Sequence, residues 1–311
     1  MAARHGITHI EPAGGGHVPT HYLDPNALAA DADALAAWRD TLDSRGLTIA
    51  ALGVYGNPLH PAPATAQAAQ RDFAAMCSVA EQLGVQRVTV ISGVPGGGPD
   101  DRVPNWIVNS IFPEFSAAYR WQWEARLIPY WRQACAIAAD HGVTICMEPH
   151  AGSMIYNGET FLRLQEACGE HLRLSFDASH LWWQGIDPIA AVEQLGEFIT
   201  YVQVKDVSFN PRRVARDGVV PSCEYDDWRV RPWVYRAVGL GHGEQFWKGL
   251  FTALRVHGYD GVVAIEYEEP FLSIDEAIGQ SVAMVSRALP RDPIPDRNWF
   301  EGYEWPTASP E

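Results

Sequence analysis

The stretch VTICMEPHAGSMIYNGETFLRLQEACGEHLRLSFDASH, residues 143–180, contains two short apolar runs that each end in a carboxylate. Residues 143–148 and 172–177 have the composition of buried strands, and residues 159–167 between them have apolar side chains at helical spacing. A strand, a helix and a second strand in this order predict parallel strands joined by a right-handed crossover. Glu148 and Asp177 would then lie at the same edge of one sheet.

The same alternation of strand and helix continues along the whole chain. Further strands are predicted at residues 7–11, 47–54, 87–92, 199–205 and 262–268, and further helices at 27–44, 66–83, 124–140, 188–195, 245–257 and 273–288. Polar residues end many of these strands and are not gathered at one switch point, so the pattern favours a closed (β/α)8 TIM barrel over an open doubly wound sheet. We expect an α/β protein with one domain, residues 1–311.

Glycines indicate where several helices end. Gly46, Gly84, Gly142 and Gly258 each follow a predicted helix and precede a strand, the position at which a left-handed backbone is common. His5-Gly6 repeats this pattern at the start of the chain. We therefore expect seven strands, with the first strand and helix of an eight-stranded barrel missing. Alternatively, residues 1–6 are a disordered leader and the eighth strand lies in a segment without a readable pattern.

The composition excludes some classes of partner. The formal net charge is -15, which disfavours nucleic acid and anionic membranes. No run of about 18 apolar residues and no signal-peptide pattern occurs, so we expect a cytoplasmic protein that does not bind membranes.

Two long connections are predicted to stand over the barrel mouth, because each follows a strand. They cover residues 93–123 and 209–239 and carry several tryptophans, including Trp228 and Trp233. Long loops in compact domains are usually functional. The indole rings could stack on sugar faces or could anchor the loops on the barrel, and the sequence leaves both open.

Four strand ends carry oxygen-bearing side chains. They are Glu148, Asp177, Gln203 and Glu266. Strand alternation places them on the inward face, where converging carboxylates would repel one another unless a cation neutralised them. Three carboxylates and an amide favour one divalent ion, Mn²⁺ or Mg²⁺. The alternative is that the carboxylates form separate salt bridges with Lys205 and nearby arginines.

Five short motifs follow one another in the order of a known family. They are Glu148-Pro149-His150, Phe176-Asp177-Ala178-Ser179-His180, Gln203-Val204-Lys205-Asp206, Gly239-Leu240-Gly241-His242-Gly243-Glu244 and Ala264-Ile265-Glu266. Together they resemble the xylose isomerase-like TIM barrel superfamily, the sugar phosphate isomerase and epimerase group also called the AP endonuclease 2 family. The resemblance covers nearly the whole chain. It implies that the four strand-end residues hold the metal, although the family more often has histidine where Gln203 stands.

The resemblance also implies roles for the neighbouring residues. Glu148 and Glu266 would act as metal ligands and proton carriers, with His150 as an alternative base. The remaining candidates are substrate contacts at His180, Lys205, Arg236 and His242. Asp206 points outward along its strand and is expected to orient a loop.

We therefore expect a metal-dependent enzyme that removes a proton beside the carbonyl of a sugar or polyol substrate. Isomerase or epimerase is the first hypothesis, and a lyase or dehydratase, including one that cleaves 3-keto glycosides, is the second. The DNA-repair branch of the family is disfavoured by the acidic charge and by the few inward histidines. A non-catalytic sugar-binding barrel is a further alternative, and the chain could form a homo-oligomer.

Overall fold

The computed structural model describes residues 2–292, which form an α/β structure. Its strands are β1 (His9–Ile10), β2 (Ala13–Gly16), β3 (Thr48–Ile49), β4 (Leu52–Tyr55), β5 (Arg87–Ile91), β6 (Thr144–Glu148), β7 (Leu172–Asp177), β8 (Ile199–Val204), β9 (Asp206–Phe209), β10 (Trp233–Arg236) and β11 (Val263–Ile265). Its α-helices are α1 (Pro25–Ala30), α2 (Ala32–Asp43), α3 (Pro63–Leu83), α4 (Pro113–Trp121), α5 (Ile128–Asp140), α6 (Gly158–Cys168), α7 (Ser179–Trp182), α8 (Pro188–Leu195), α9 (Pro211–Asp217), α10 (Glu244–Val256) and α11 (Ile274–Ala288).

The main sheet has seven parallel strands in the order β2-β4-β5-β6-β7-β8-β11. The short strands β1 and β3 pair with each other and precede β2 and β4 along the chain. The sheet curls strongly and brings its two edges near each other. The side chain of Gln203 on β8 hydrogen-bonds Glu11, which lies between β1 and β2 at the far edge. The predicted barrel architecture with seven strands is confirmed as a curled half-barrel.

The two edges of this sheet are not joined. Within residues 2–292, no backbone hydrogen bond connects β11 with β1 or β2. A cavity of about 450 Å³ lies between them, lined mainly by apolar side chains that include Ile7, Ile10, Val263 and Ile265. The curled sheet is therefore open on one side.

The hydrophobic core lies between the strands and the helices that connect them. Its largest fully buried side chains include Trp123 before α5, Trp131 on α5, Trp247 on α10 and Phe161 on α6. Gly84, which ends α3, has a left-handed backbone with φ 69°, as its position before a strand predicted. A Cβ there would strain the turn into β5.

The helix predicted over residues 27–44 is two helices, so that prediction was wrong in detail. Asp24 caps α1 by accepting hydrogen bonds from the backbone of Asn26 and Ala27. Asp31 adopts an extended backbone and caps α2 in the same way. An aspartate that accepts these bonds competes with helix continuation, which explains the break.

The two long connections contain secondary structure of their own. Residues 93–123 include α4, and residues 209–239 include α9 and β10, which pairs antiparallel with β9. The strand predicted at 262–268 is shorter, since β11 ends at Ile265 and Glu266 follows it. None of the helices in the described part of the chain combines the length and the apolar character needed to cross a bilayer.

Candidate metal centre and surrounding site

Three of the four predicted ligands meet at the carboxyl ends of the strands. Glu148 is the last residue of β6, Asp177 is the last residue of β7, and Glu266 comes directly after β11. One oxygen from each of these carboxylates can be chosen so that all three atoms lie within 4.8 Å of one another. Glu148 and Asp177 are each only 2% exposed, so water screens their charges weakly.

Lys205 lies among these carboxylates. Its Nζ is 3.0 Å from Asp177, 2.5 Å from Glu266 and 3.2 Å from Glu268, and the residue is fully buried. The salt bridges that the sequence offered as an alternative to a metal are therefore present. One ammonium group nevertheless faces four carboxylates when Glu148 is included, which leaves negative charge in excess.

The pKa values reflect this crowding. Burial and the charge of Glu266 raise the pKa of Glu148 well above its usual value. Burial likewise raises the pKa of Asp177, to about 6, against the opposing effect of Lys205. Burial acts to lower the pKa of Lys205, but the charges of Asp177 and Glu266 outweigh it and raise that pKa well above the usual value. Lys205 therefore remains an ammonium group at neutral pH.

Two buried oxygens of the cluster lack a hydrogen bond of good geometry within residues 2–292. Oε1 of Glu148 lies 2.9 Å from Nε2 of His180, and Oδ2 of Asp177 lies 3.0 Å from Nζ of Lys205, so each has a close polar neighbour that is poorly aligned with it. Buried polar atoms normally make well-aligned hydrogen bonds, so these two oxygens are suited to bind a further partner. Hard carboxylate oxygens and an excess of negative charge fit a divalent metal ion.

Two histidines extend the site beside Glu148. His180 is completely buried, its Nε2 lies 2.9 Å from Oε1 of Glu148, and its ring centre is 4.1 Å from that of His150. Burial lowers the pKa of both imidazoles, that of His180 strongly, so both are neutral at pH 7. Nδ1 of His180 is hydrogen-bonded to the hydroxyl of Tyr235 at 3.0 Å. Glu148, His150 and His180 form a second group whose ligand atoms could hold an ion.

Gln203, the fourth predicted ligand, belongs to a polar network on the inside of the half-barrel. Its Oε1 accepts a hydrogen bond from Ser175 at 2.9 Å, and its Nε2 donates to Glu11 at 3.0 Å and to the Tyr55 hydroxyl at 2.9 Å. Burial raises the pKa of Glu11. The amide is thus fixed by protein partners on both sides, and its role as a ligand stays a prediction.

Arg236 and His242 form their contacts with residues other than the carboxylates of the cluster. Arg236 donates from Nε to Glu269 at 2.8 Å, and His242 stacks on Trp182 with ring centres 4.0 Å apart. Nδ1 of His242 also lies 2.7 Å from Asp206. Their role as substrate contacts stays a prediction.

Asp206 organises the turn that carries His242. Its Oδ2 accepts hydrogen bonds from the backbone of Gly239, Gly241 and His242 at 2.9 to 3.0 Å. The expectation that Asp206 orients a loop is confirmed.

Sequence reasoning did not select three polar residues of the site as functional candidates. Glu11 precedes β2, Tyr235 lies within the long connection 209–239, and Glu268 follows Glu266 by two residues. Glu268 lies two residues after Glu266, so strand alternation places both side chains on the inward face, and this pattern could have predicted Glu268. Tyr235 and Glu11 reach the site only through the tertiary fold, and no local pattern indicated them.

Comparison with known proteins identifies the class that this fold and site define. The xylose isomerase-like TIM barrel family matches residues 1–287, so the chain belongs to that family. It is 36% identical to the uncharacterised protein YfiH of Bacillus subtilis (strain 168) over 293 residues, 93% of each chain. It is also 24% identical over 165 residues to an inosose dehydratase of Histophilus somni (strain 129Pt), covering 51% of this chain and 52% of that enzyme.

Solved structures show the same fold at low identity. The IOLI protein, determined with a bound zinc atom, gives a TM-score of 0.60 at 19% identity and covers 93% of this chain and 92% of its own. The 3-keto-D-glucoside 4-epimerase YcjR of E. coli gives 0.60 at 13% identity, with coverages of 90% and 99%. Proteins with this fold thus include epimerases and dehydratases.

Proposed function

We propose that this protein is an isomerase or epimerase that depends on one divalent metal ion, Mn²⁺ or Mg²⁺, and acts on a keto-sugar or a sugar derivative. The observation that carries the proposal is the convergence of the carboxylates of Glu148, Asp177 and Glu266, each of which has an oxygen within 4.8 Å of the others. Carboxylate oxygens favour these two ions over ions that prefer thiolate or imidazole. The IOLI protein, which has the same fold, was determined with a bound zinc atom, and this supports a divalent metal ion in the present protein.

The carboxylates of Glu148, Asp177 and Glu266 would hold the ion, with the Gln203 amide as a further ligand. When bound, a divalent ion supplies Lewis acidity that makes the proton next to a substrate carbonyl easier to remove. It would also lower the pKa of Glu148 and Asp177, because a nearby positive charge favours the ionised carboxylates.

Glu148 and Glu266 are the proposed proton carriers. They follow strands β6 and β11, which β7 and β8 separate in the sheet, so the two carboxylates approach the site from different sides. One would remove the proton beside the carbonyl, and the other would return it. Return to the opposite face of the same carbon epimerises the substrate, and return to the neighbouring carbon isomerises it. His150, neutral because burial lowers its pKa, is the alternative base.

Lys205 and His180 would bind substrate oxygens. The ammonium of Lys205 is already oriented by Asp177, Glu266 and Glu268, so it needs little reorganisation to stabilise an oxygen that gains negative charge. His180 is held by the hydroxyl of Tyr235 on its other nitrogen.

A lyase or dehydratase is the second candidate. Elimination needs an acid that protonates the departing oxygen, and the hydrogen-bonded pair of Tyr235 and His180 offers a hydroxyl beside the carboxylates. The likeness to an inosose dehydratase over half of the chain supports this candidate.

Hydrogen exchange in D₂O tests the proposal, because both candidates begin with removal of a carbon-bound proton. The protein would be incubated with ketoses, keto-inositols and 3-keto glycosides, and deuterium at carbon would be measured by NMR. We expect at least one compound to exchange. A changed stereocentre then identifies an epimerase, a moved carbonyl an isomerase and a lost substituent a lyase.

The variant Glu266→Gln should reduce exchange by at least about 10²-fold, the lower range of what a positioned acid or base contributes. The matched control is Glu193→Gln, which makes the same chemical change on the exposed face of α8 and should leave exchange unchanged. If several compounds bind but none exchanges, the catalytic proposal fails and a sugar-binding barrel takes its place.

A further inference from the structure

A basic cavity lies beside the β9–β10 hairpin, over the carboxyl ends of the strands. It has a volume of about 450 Å³, and three of its lining residues are arginines, Arg229, Arg231 and Arg236. Aspartate and glutamate are absent from this lining among the described residues, although the chain has 38 acidic and 23 basic residues. We call this cavity the arginine pocket. Ser208, Asn210, Trp228, Trp233 and Phe271 also line it.

Arg231 is the central residue of the arginine pocket. It is only 6% exposed, and its guanidinium lies 4.2 Å from the ring centre of Tyr225 and 4.4 Å from that of Trp233. Nη1 donates to the backbone oxygen of Tyr225 at 3.3 Å. Within residues 2–292, Nε and Nη2 have no hydrogen-bond partner, and no carboxylate lies within 4.0 Å of the guanidinium.

Two other arginines of the same region have carboxylate partners. Arg236 pairs with the buried carboxylate of Glu269, and Arg216 pairs with Asp217 on the surface. A guanidinium remains charged at all ordinary pH values, and a buried charge normally has a partner. Stacking between two aromatic rings holds the guanidinium plane in place but leaves two of its donor nitrogens without an acceptor.

A second cavity connects this arginine with the carboxylate cluster. It has a volume of about 310 Å³ and shares the wall formed by Trp228, Arg231 and Val234 with the arginine pocket. Tyr235 and Glu268 also line it. Tyr235 contacts His180, and Glu268 contacts Lys205, so a molecule in this cavity touches Arg231 and two residues that contact the metal-site region.

We propose that the arginine pocket binds an oxyanion, a phosphate or a carboxylate, carried by the end of the sugar substrate that does not react. This proposal rests on the proposed function and narrows its substrate class to acidic sugars. A planar guanidinium matches the oxygens of either group, and charge-assisted hydrogen bonds of this kind are strong. Asp226, Glu268 and Glu269 line the connecting cavity, and within the described residues only Glu269 has an arginine partner, so the negative charge there directs the anion toward Arg231.

Binding of inorganic phosphate and of acetate to the purified protein provides the first test. By calorimetry, we expect Arg231→Met to weaken binding of the preferred anion at least about tenfold, the loss typical of one hydrogen bond to a charged group. Methionine keeps the apolar contact with Tyr225 and Trp233. The control Arg216→Met removes the same charge from an exposed position and should leave the affinity unchanged. Equal affinity in Arg231→Met and wild type overturns the proposal.

Arg231→Lys keeps the charge but lacks the planar fork of donors. We expect it to bind phosphate more weakly than wild type and more tightly than Arg231→Met. This variant also tests the proposal if the methionine variant fails to fold. Wild-type phosphate affinity in Arg231→Lys would show that guanidinium geometry is irrelevant and would overturn the assignment of Arg231.

The exchange reaction provides the second test and distinguishes the two kinds of anion. A sugar phosphate, a sugar acid and the neutral sugar of the same skeleton would be compared in D₂O with wild type and Arg231→Met. We expect one acidic substrate to be preferred, with its KM raised in the variant and the neutral sugar unaffected. Preference for the neutral sugar overturns the acidic-substrate proposal while the proposed function stands. Phosphate binding that depends on Arg231 without any exchange supports the pocket and overturns the proposed function.

Discussion

The carboxylate cluster and the arginine pocket are two adjoining regions with opposite charge. In the cluster, Asp177, Glu266 and Glu268 surround the single ammonium of Lys205, and Glu148 lies beside Asp177 and Glu266. In the pocket, three arginines line one cavity, and Glu269 is the carboxylate that pairs with one of them. Each region holds more charge of one sign than its protein partners neutralise, which indicates a cation for the first and an anion for the second.

The two regions also differ in the elements that build them. Glu148 and Asp177 end regular strands, where the backbone ladder fixes their positions, and Glu266 comes directly after β11. Residues of the arginine pocket come mainly from the long connection 209–239. In barrel enzymes the strand ends carry the chemistry and the loops vary the substrate. We therefore propose that proton transfer takes place at the cluster and that the pocket selects the substrate.

The largest expected effect comes from removing the one cation inside the cluster. Lys205→Met leaves several buried carboxylates without compensation, which should lower the free energy of unfolding by about 3–5 kcal/mol at pH 7. Because burial raises the pKa of Glu148 and of Asp177, these groups bind protons more readily in the folded state. The loss should therefore become smaller as the pH falls from 7 to 5. Urea unfolding at both pH values measures it.

Lys248 is the only other lysine of the chain and provides a matched control. It is half exposed and pairs with Glu244 one turn away on α10, so Lys248→Met should change stability by less than about 1 kcal/mol. Added Mn²⁺ should restore more stability to Lys205→Met than to wild type, because the ion replaces the missing charge. A Lys205→Met protein as stable as wild type would contradict the charge balance described for the cluster.

Local sequence patterns were sufficient to predict the strand ends that build the cluster. The predicted strand 172–177 agrees with β7, and Glu148 ends β6 as expected, because buried apolar runs bounded by polar residues leave little freedom in register. The helix break at Asp31 was missed, since the apolar spacing of residues 27–44 continues across it. A capping aspartate has a local effect that hydrophobic periodicity does not contain.

Contacts between distant parts of the chain could not be predicted in this way. Gln203 and Glu11 are 192 positions apart, and their hydrogen bond depends on how strongly the sheet curls. Arg231 was one of several arginines in a long connection, and its burial between Tyr225 and Trp233 follows from the packing of that connection. Local patterns therefore predicted the strand ends that carry the carboxylates but not the distant side chains that contact them.

Removing single carboxylates should affect metal binding strongly. We expect wild type to bind about one Mn²⁺ or Mg²⁺ per chain, as converging hard oxygens predict. Glu148→Gln and Asp177→Asn should each weaken this binding at least about 10²-fold, because even residues that only support metal ligands can cost 10- to 100-fold. Elemental analysis and Mn²⁺ titration measure stoichiometry and affinity. Glu193→Gln on α8 serves as the control with unchanged affinity.

Phosphate binding at the arginine pocket shows whether a carboxylate variant has lost only the metal ion or has lost anion binding as well. Phosphate affinity should persist in Glu148→Gln, because Arg231 does not depend on the metal ion. If wild-type metal content remained in both carboxylate variants, the cluster would not be the metal centre. A stoichiometric cluster of several zinc ions would contradict the single-ion proposal equally.

The smallest expected effect concerns the choice of ion. Gln203→His should still bind a divalent metal but should shift preference toward Zn²⁺ over Mn²⁺, by about tenfold, since imidazole nitrogen suits zinc better than amide oxygen does. The change also removes the amide that donates to Glu11 and Tyr55, so the unfolding free energy should fall by about 1–3 kcal/mol. Competitive titration of the two ions measures the preference, and Gln82→His on the exposed face of α3 controls for an added surface imidazole. If the ratio of the two affinities is the same as in wild type, residue 203 does not contact the ion, and the three carboxylates hold it without the amide.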